Sequence, residues 1–273
     1  MATLIATLGE QPQVVTLALD LLRAQGEKVE EVRVIHTRGR EALWPPAVVR
    51  LQEETAYYGP AVAFHFHLIQ AGDEAPWDIL SEEDASAAFT TLYRVLKEAK
   101  RQRKQIHLSL AGGRKVMSAY ALAAAQMLFD ADDRCWHLIS EGPLLQEGRM
   151  HRRPGDRVQL VPVPVLRWST VSPVFTALAQ YDDPWAAVRV QNELVDREAR
   201  QRVEAFLATL TPAERQLAEL LAAEGLSNQA LAARLHRSEK TVANQLSSIY
   251  RKYYDFWGHP GSRSALIAEL GRR

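Results

Sequence analysis

Ile106–Leu128 reads IHLSLAGGRKVMSAYALAAAQML, and this stretch decides the fold of the larger part of the chain. Ile106 to Leu110 is an apolar run of strand length, Ala111-Gly112-Gly113-Arg114 is a turn, and Lys115 to Phe129 is a very apolar helix. Parallel strands need a crossover connection, and a helix entered directly from a strand supplies it. Upstream the unit recurs. Thr3 to Leu8, Val32 to His36 and Ala63 to Leu68 read as strands, with helices at Pro12 to Gln25, around Pro46 to Tyr57, and at Asp84 to Lys104. Val14, Val15, Leu17, Leu19, Leu21 and Leu22 give the first of these helices its apolar side, and the last begins with acids and ends with cations, as the helix dipole favours. Downstream, Cys135 to Ile139 is a fifth strand. Such alternation implies a mostly parallel sheet with helices on both faces.

Beyond Ile139 the pattern changes. Arg157 to Leu166 (RVQLVPVPVL) alternates but contains Pro162 and Pro164, which assigns it to a sheet edge or an extended arm. Ser172 caps a short helix to Gln180, with Pro173 at its first position, and Pro184 opens a long helical run, Trp185 to Leu207. The expected class is α/β: a Rossmann-like domain over 1–168, a helical linker over 169–208, and a small all-α domain over 209–273.

That last domain reads as short helices with a sharp turn. Thr211 N-caps the first, with Pro212 behind it, and Leu217, Leu220 and Leu221 share a face. Gly225 ends it. Ser227 caps a second helix carrying Leu231, Ala232 and Leu235, and Ser238 caps a third in which Val242, Leu246 and Ile249 face inward. The outward face of the third carries Lys240, Ala243, Asn244, Gln245, Ser247, Ser248 and Arg251: short polar groups and cations, suited to a major groove and its phosphates. From Gln201 onward cations outnumber acids, although Lys plus Arg and Asp plus Glu are 33 each over the whole chain. The protein is therefore no basic nucleic-acid coat but carries one module able to neutralise a few phosphates.

Cys135 is the only cysteine, which excludes an internal disulfide and a cysteine-rich zinc site. No apolar run is long enough to span a bilayer and the amino end lacks signal-peptide character, so no membrane association and a cytoplasmic location are expected. Open parallel sheets take ligands beyond the carboxyl ends of their strands. Two loops meet that rule. Thr7-Leu8-Gly9-Glu10-Gln11-Pro12-Gln13 follows strand one, and Ser109-Leu110-Ala111-Gly112-Gly113-Arg114-Lys115 follows strand four. The paired glycines of the second would admit a ligand to the backbone, while Arg114 and Lys115 supply charge for phosphates. A phosphorylation receiver would need acids where strand one ends in Thr7-Leu8-Gly9 and strand three holds Phe64-His65-Phe66-His67. A nicotinamide fold would need GxGxxG after strand one. His65 and His67 lack Cys or acidic neighbours in sequence and read as structural rather than metal-binding.

The segment LTPAERQLAELLAAEGLSNQALAARLHRSEKTVANQLSSIYRKY, residues 210–253, resembles the LuxR-type helix-turn-helix of bacterial transcription factors. The resemblance places Glu239 to Gln245 on the recognition helix and matches Lys252 to the family's phosphate-binding lysine; with the outward face read above, the expected DNA-binding residues are Ser238, Glu239, Lys240, Thr241, Ala243, Asn244, Gln245, Ser248, Arg251 and Lys252. Gln245 stands where that family usually has His, and Tyr253 where it usually has Leu. IHLSLAGGRKVMSAYALAAAQML and ATLGEQPQVVTLAL (residues 6–19) look like the signatures of CRISPR-associated Rossmann-fold (CARF) domains, over roughly residues 1–165. This second resemblance implies a homodimer that binds a cyclic oligoadenylate, cyclic tetra-adenylate first among them, made by a type III CRISPR effector complex. Matched onto this sequence, Thr7, Leu8, Gly9, Glu10, Gln11 and Gln13 would line one edge of the ligand and Ala111, Gly112, Gly113, Arg114 and Lys115 the other. Topology adds Thr37 and Arg38. Arg101 and His107 fit the Arg-to-His spacing of a ribonuclease found in related sensors, but they fall in the first domain, and no catalytic residue is assigned. The expectation is a cyclic-oligoadenylate-responsive regulator that binds double-stranded DNA. The alternative is a ring nuclease in which Lys115, Arg114 and Thr7 orient the ligand for its own cleavage.

Overall fold

The computed structural model describes residues 2–271, and its elements run β1 (Ala2–Thr7), α1 (Gln13–Ala24), β2 (Val29–His36), α2 (Pro46–Tyr58), β3 (Ala63–Leu68), α3 (Glu82–Arg101), β4 (Gln105–Ser109), α4 (Lys115–Leu128), β5 (Arg134–Glu141) and β6 (Arg157–Val163). Helices follow: α5 (Trp168–Val171), α6 (Pro173–Leu178), α7 (Pro184–Thr209), α8 (Pro212–Glu224), α9 (Asn228–Arg234), α10 (Glu239–Trp257) and α11 (Arg263–Leu270). Two compact units divide between Val188 and Arg189, inside α7.

The first unit is a six-stranded sheet in the order β3-β2-β1-β4-β5-β6, parallel except for β6. Every residue of β1 is buried, as its central place requires. Side chains alternate across it: Leu4 and Ala6 join the core under α1 and α2, while Ile5 joins the core under α3 and α4. The proline-bearing segment is the edge strand β6, antiparallel to β5, with Pro162 opposite Trp136. Helix α3 stops at Arg101, short of the expected Lys104, because Arg103 turns into the left-handed region (φ 54°). Its start is fixed by a capping box in which the Ser81 hydroxyl and the Asp84 carboxylate satisfy each other's backbone N–H groups. The single turn α5 had no signal in the sequence.

In the second unit the expected caps form: Thr211, Ser227 and Ser238 each accept from the backbone N–H three residues on. Leu217, Leu221, Leu231, Val242, Leu246 and Ile249 close a core with Val203 and Phe206 of α7. Leu220 and Leu235 sit at its margin, half-buried. A fourth short helix, α11, capped by Ser262, places Leu266 and Leu270 in the same core. Among the described residues this unit has no strand, in keeping with the all-α expectation.

Candidate functional site

The strand order reverses between β1 and β4, and the loops leaving the carboxyl ends of β1, β2, β3 and β4 converge there on a cleft of about 680 Å³. Of the residues expected at the ligand, Leu8, Gly9, Glu10, Gln11, Thr37, Arg38, Gly113 and Arg114 line it. Gly39, Arg40, Pro45, Pro46, Trp77, Asp78 and Met117 line it without having been singled out in the sequence. Most come from the long connections after β2 and β3, whose composition carries no motif. Arg40 and Trp77 nonetheless form a pair, the guanidinium carbon lying 4.6 Å from the ring centroid.

Five anticipated residues lie off the cleft lining: Thr7, Gln13, Ala111, Gly112 and Lys115. Thr7 is fully buried and its hydroxyl donates to the Gly112 carbonyl at 2.5 Å, stitching the β1 and β4 loops together. The Gln13 amide donates to the Leu145 carbonyl at 2.9 Å, in the connection between β5 and β6. Ala111 is half-buried against the α1–α2 core. Gly112 is required by the packing of the protein itself. A Cβ there would stand 2.0 Å from the Thr7 carbonyl oxygen, so the loops touch backbone to backbone where a ligand was expected. Gly113, at φ 78°, does line the cleft, and Lys115 is exposed beside it.

Both arginines expected at the site, Arg38 and Arg114, already hold partners on the β3–α3 connection. The Arg38 N–H donates to Pro76 O at 3.0 Å and its Nε to Ala75 O at 2.8 Å. Arg114 grips Asp78 with its guanidinium fork, Nε donating to Oδ1 at 2.6 Å and Nη2 to Oδ2. These hydrogen bonds from Arg114 hold the Asp78 carboxyl below its ordinary range, against the opposing effect of burial.

The histidines take structural positions. His65 Nε2 lies 3.3 Å from Glu31 Oε1 in a network with Arg33 and Lys104. His67 Nε2 is buried without a hydrogen-bond partner, and burial first, then Arg33, pushes its imidazole down to about 4. His107 is buried in β4 and accepts from the Trp136 indole at 3.1 Å, while Arg101 is bonded to Asp182. Among the described residues no group of three or more His, Cys, Asp or Glu side chains is arranged to hold a metal ion, and no helix is long and apolar enough to cross a membrane.

On α10 the anticipated DNA-facing residues separate into two sets. Glu239, Lys240, Thr241, Asn244 and Arg251 are exposed, as is the capping Ser238, whose hydroxyl also meets that of Thr241 at 2.8 Å. Ala243, Gln245, Ser248 and Lys252 are half-buried. Gln245 Oε1 accepts from Arg237, which also bonds Ala213 O and Gln216. Lys252 Nζ donates to Glu214 Oε2 at 2.7 Å and to Thr209 O at 3.2 Å. Burial pushes the Glu214 carboxyl up, but hydrogen bonds from Lys252, the Thr211 N–H, Ser248 and the Thr211 hydroxyl prevail and hold it at about 2. The capping glutamate of α8 thereby anchors α10.

A helix-turn-helix domain model matches residues 209–247, and a model of the family described as CRISPR-associated protein NE0113 matches residues 11–196. No curated protein matches the chain. Among solved structures it is similar to Enterococcus italicus Csm6 bound to cyclic hexa-2'-fluoro-hexa-dAMP, at 13% identity over 90% of this chain and 68% of that one, with a TM-score of 0.43. It is also similar to a type III CRISPR defence DNA nuclease activated by cyclic oligoadenylate, at 17% identity and a TM-score of 0.34, covering 99% of this chain but only 32% of that one. With the family match extending over more than half its length, the chain belongs to the CRISPR-associated NE0113 family.

Proposed function

We propose that the protein is a cytoplasmic transcriptional regulator that binds a cyclic oligoadenylate in the cleft at the β1/β4 reversal and double-stranded DNA through α10, acting as a homodimer. The observation that carries this reading is the pairing, in one chain of a CRISPR-associated family, of an arginine-bordered cleft with a helix-turn-helix whose third helix exposes Lys240, Thr241, Asn244 and Arg251. Arg38, Arg40 and Arg114 supply positive charge for a ring of phosphates, and Trp77 offers an aromatic wall to a base. Cyclic tetra-adenylate is the ligand to try first.

On the DNA side, Asn244 is the exposed amide able to read an adenine edge, and Lys240 and Arg251 are the exposed phosphate contacts. Gln245 and Lys252 serve instead as supports for α10. The test is operator binding by DNA upstream of the protein's own locus, with and without cyclic tetra-, tri- and hexa-adenylate, with the ligand recovered and sized afterwards. Ligand binding, operator binding and intact ligand are expected. Failure to bind any cyclic oligoadenylate would remove the ligand from the reading, and equal affinity for operator and scrambled duplexes would remove the regulator. Recovery of linear products would instead favour a nuclease.

A further inference from the structure

The connection between β3 and α3, residues 69–81, forms one wall of the cleft through Trp77 and Asp78. It is held from both sides, by Arg38 through the Ala75 and Pro76 carbonyls and by Arg114 through Asp78. The second hold has an unusual asymmetry. The Asp78 side chain is 10% exposed, with Oδ1 also accepting the Ile79 N–H at 2.8 Å, while the Arg114 side chain is 63% exposed. The carboxylate thus occupies the Nε/Nη2 edge of the guanidinium, one of the two edges that a phosphate can take, and it does so in the same bidentate manner. A phosphate taking that edge of Arg114 exchanges one anion for another. It gains no net charge pairing there, and the displaced carboxylate remains beside it.

We infer that Asp78 is an internal competitor for ligand phosphate at Arg114, which lowers the affinity of the cleft and keeps residues 69–81 latched until a polyanion displaces it. The inference rests on the reading of the cleft as a polyphosphate site and assigns its regulation. It predicts that removing an acid from the cleft wall strengthens binding, and that the gain depends on Arg114. Asp78→Asn keeps the shape and the oxygen that accepts from Ile79 while deleting the charge.

The experiment is a cycle of wild type, Asp78→Asn, Arg114→Ala and the double variant, titrated calorimetrically with cyclic tetra-adenylate. Because Arg114 is largely exposed, the expected gain for Asp78→Asn is modest, about three- to tenfold tighter binding. In the Arg114→Ala background the same substitution should gain less than about twofold, since the cycle isolates the pairwise coupling. An unchanged or weaker affinity for Asp78→Asn overturns the inference. So does an equal gain in both backgrounds, which would mean general repulsion rather than competition for Arg114. A second arm uses inorganic pyrophosphate and amide hydrogen exchange. Pyrophosphate should speed exchange across residues 69–81 severalfold in the wild type and leave the already loosened Asp78→Asn unchanged. If no cyclic oligoadenylate binds the wild type, the proposed ligand is wrong and this arm alone decides the latch. No acceleration by saturating pyrophosphate would overturn it.

Discussion

Gly112→Ala adds one methyl group at the point where the β1 and β4 loops meet. The new Cβ would lie 2.0 Å from the Thr7 carbonyl oxygen, 2.9 Å from its carbon and 3.3 Å from Val14 Cγ2. Two of these three neighbours are backbone atoms of the fully buried central strand, so no flexible side chain can turn aside to relieve the contact. Gly112 does not adopt a positive φ, and alanine therefore suffers no backbone strain of its own there. The whole effect is steric. Overpacking of this kind costs typically 1–3 kcal/mol, and separating the loops also breaks the Thr7 hydroxyl to Gly112 hydrogen bond, worth about 1 kcal/mol. We expect about 2–4 kcal/mol of destabilisation in the first unit. Thr7→Val, which deletes the hydrogen bond without adding volume, should cost about 1 kcal/mol or slightly more, because the Gly112 carbonyl loses a partner. Urea titration read through amide exchange in β1 and β4 reports this unit separately from the helical one. A loss below about 1 kcal/mol for Gly112→Ala would refute the argument that glycine is needed for loop packing.

In the helical unit, the Glu214 carboxyl is held at about 2 against an ordinary 4.5, so its contribution to stability is complete above about pH 4.5 and is lost as the pH falls toward 2. Its side chain is only 8% exposed, and a shift of that size corresponds to about 3 kcal/mol at most; Glu214→Gln should flatten stability between pH 2.5 and 4.5, followed at the methyl resonances of Val242 and Leu266. Lys252→Ala should lower the unfolding free energy of the same unit by about 1–3 kcal/mol, since it leaves Glu214 without its cation, and denaturation without DNA checks this; a variant that weakens DNA binding while leaving stability untouched would contradict the anchoring role. Asn244→Ala should change preference among operator sequences, whereas Lys240→Ala should weaken operator and scrambled duplexes alike and reduce the salt slope by about one ion. Cyclic tetra-adenylate should alter operator affinity about 5–150-fold, with the reciprocal effect of operator on ligand; a glycine-serine insertion within 192–198 of α7 should abolish that coupling while leaving each binding event intact, and coupling that survives it would exclude a continuous helix as the route.

Strand-and-helix alternation made the sheet legible because each element buries a face with its own periodicity, and Pro162 placed β6 at the edge because proline cannot serve a central ladder. The helix-turn-helix was equally open, its boundaries written in Thr211, Ser227, Ser238 and Gly225. What the sequence concealed was partnership. Nothing local to Gly112 says that its neighbour is Thr7, 105 positions earlier, or that Arg114 meets Asp78, 36 positions away. The same holds for Lys252: its spacing on α10 marks a cation, and only the packing of α8 reveals Glu214 beneath it. Residues of the β2–α2 and β3–α3 connections, Arg40, Trp77 and Asp78 among them, escaped because their roles depend on how long loops fold back over a cleft.

The reversal of β6 also determines where the chain leaves the sheet. A sixth parallel strand would have delivered the following segment to the rim where the ligand loops gather, crowding the cleft with its own continuation. Instead β6 starts opposite Glu141 and ends opposite Cys135, at the far rim, and α5, α6 and the first turn of α7 follow from there. The entrance to the cleft and the end of β6 therefore lie at opposite rims of one sheet. The chain then comes back toward the cleft: α4 lines it with Met117, and one turn later its Tyr120 ring meets Trp185 of α7 edge-on, with centroids 6.3 Å apart. The start of α7 is thereby tied to the helix that walls the cleft, since the residues from Met117 to Tyr120 rise only about 1.5 Å each along it.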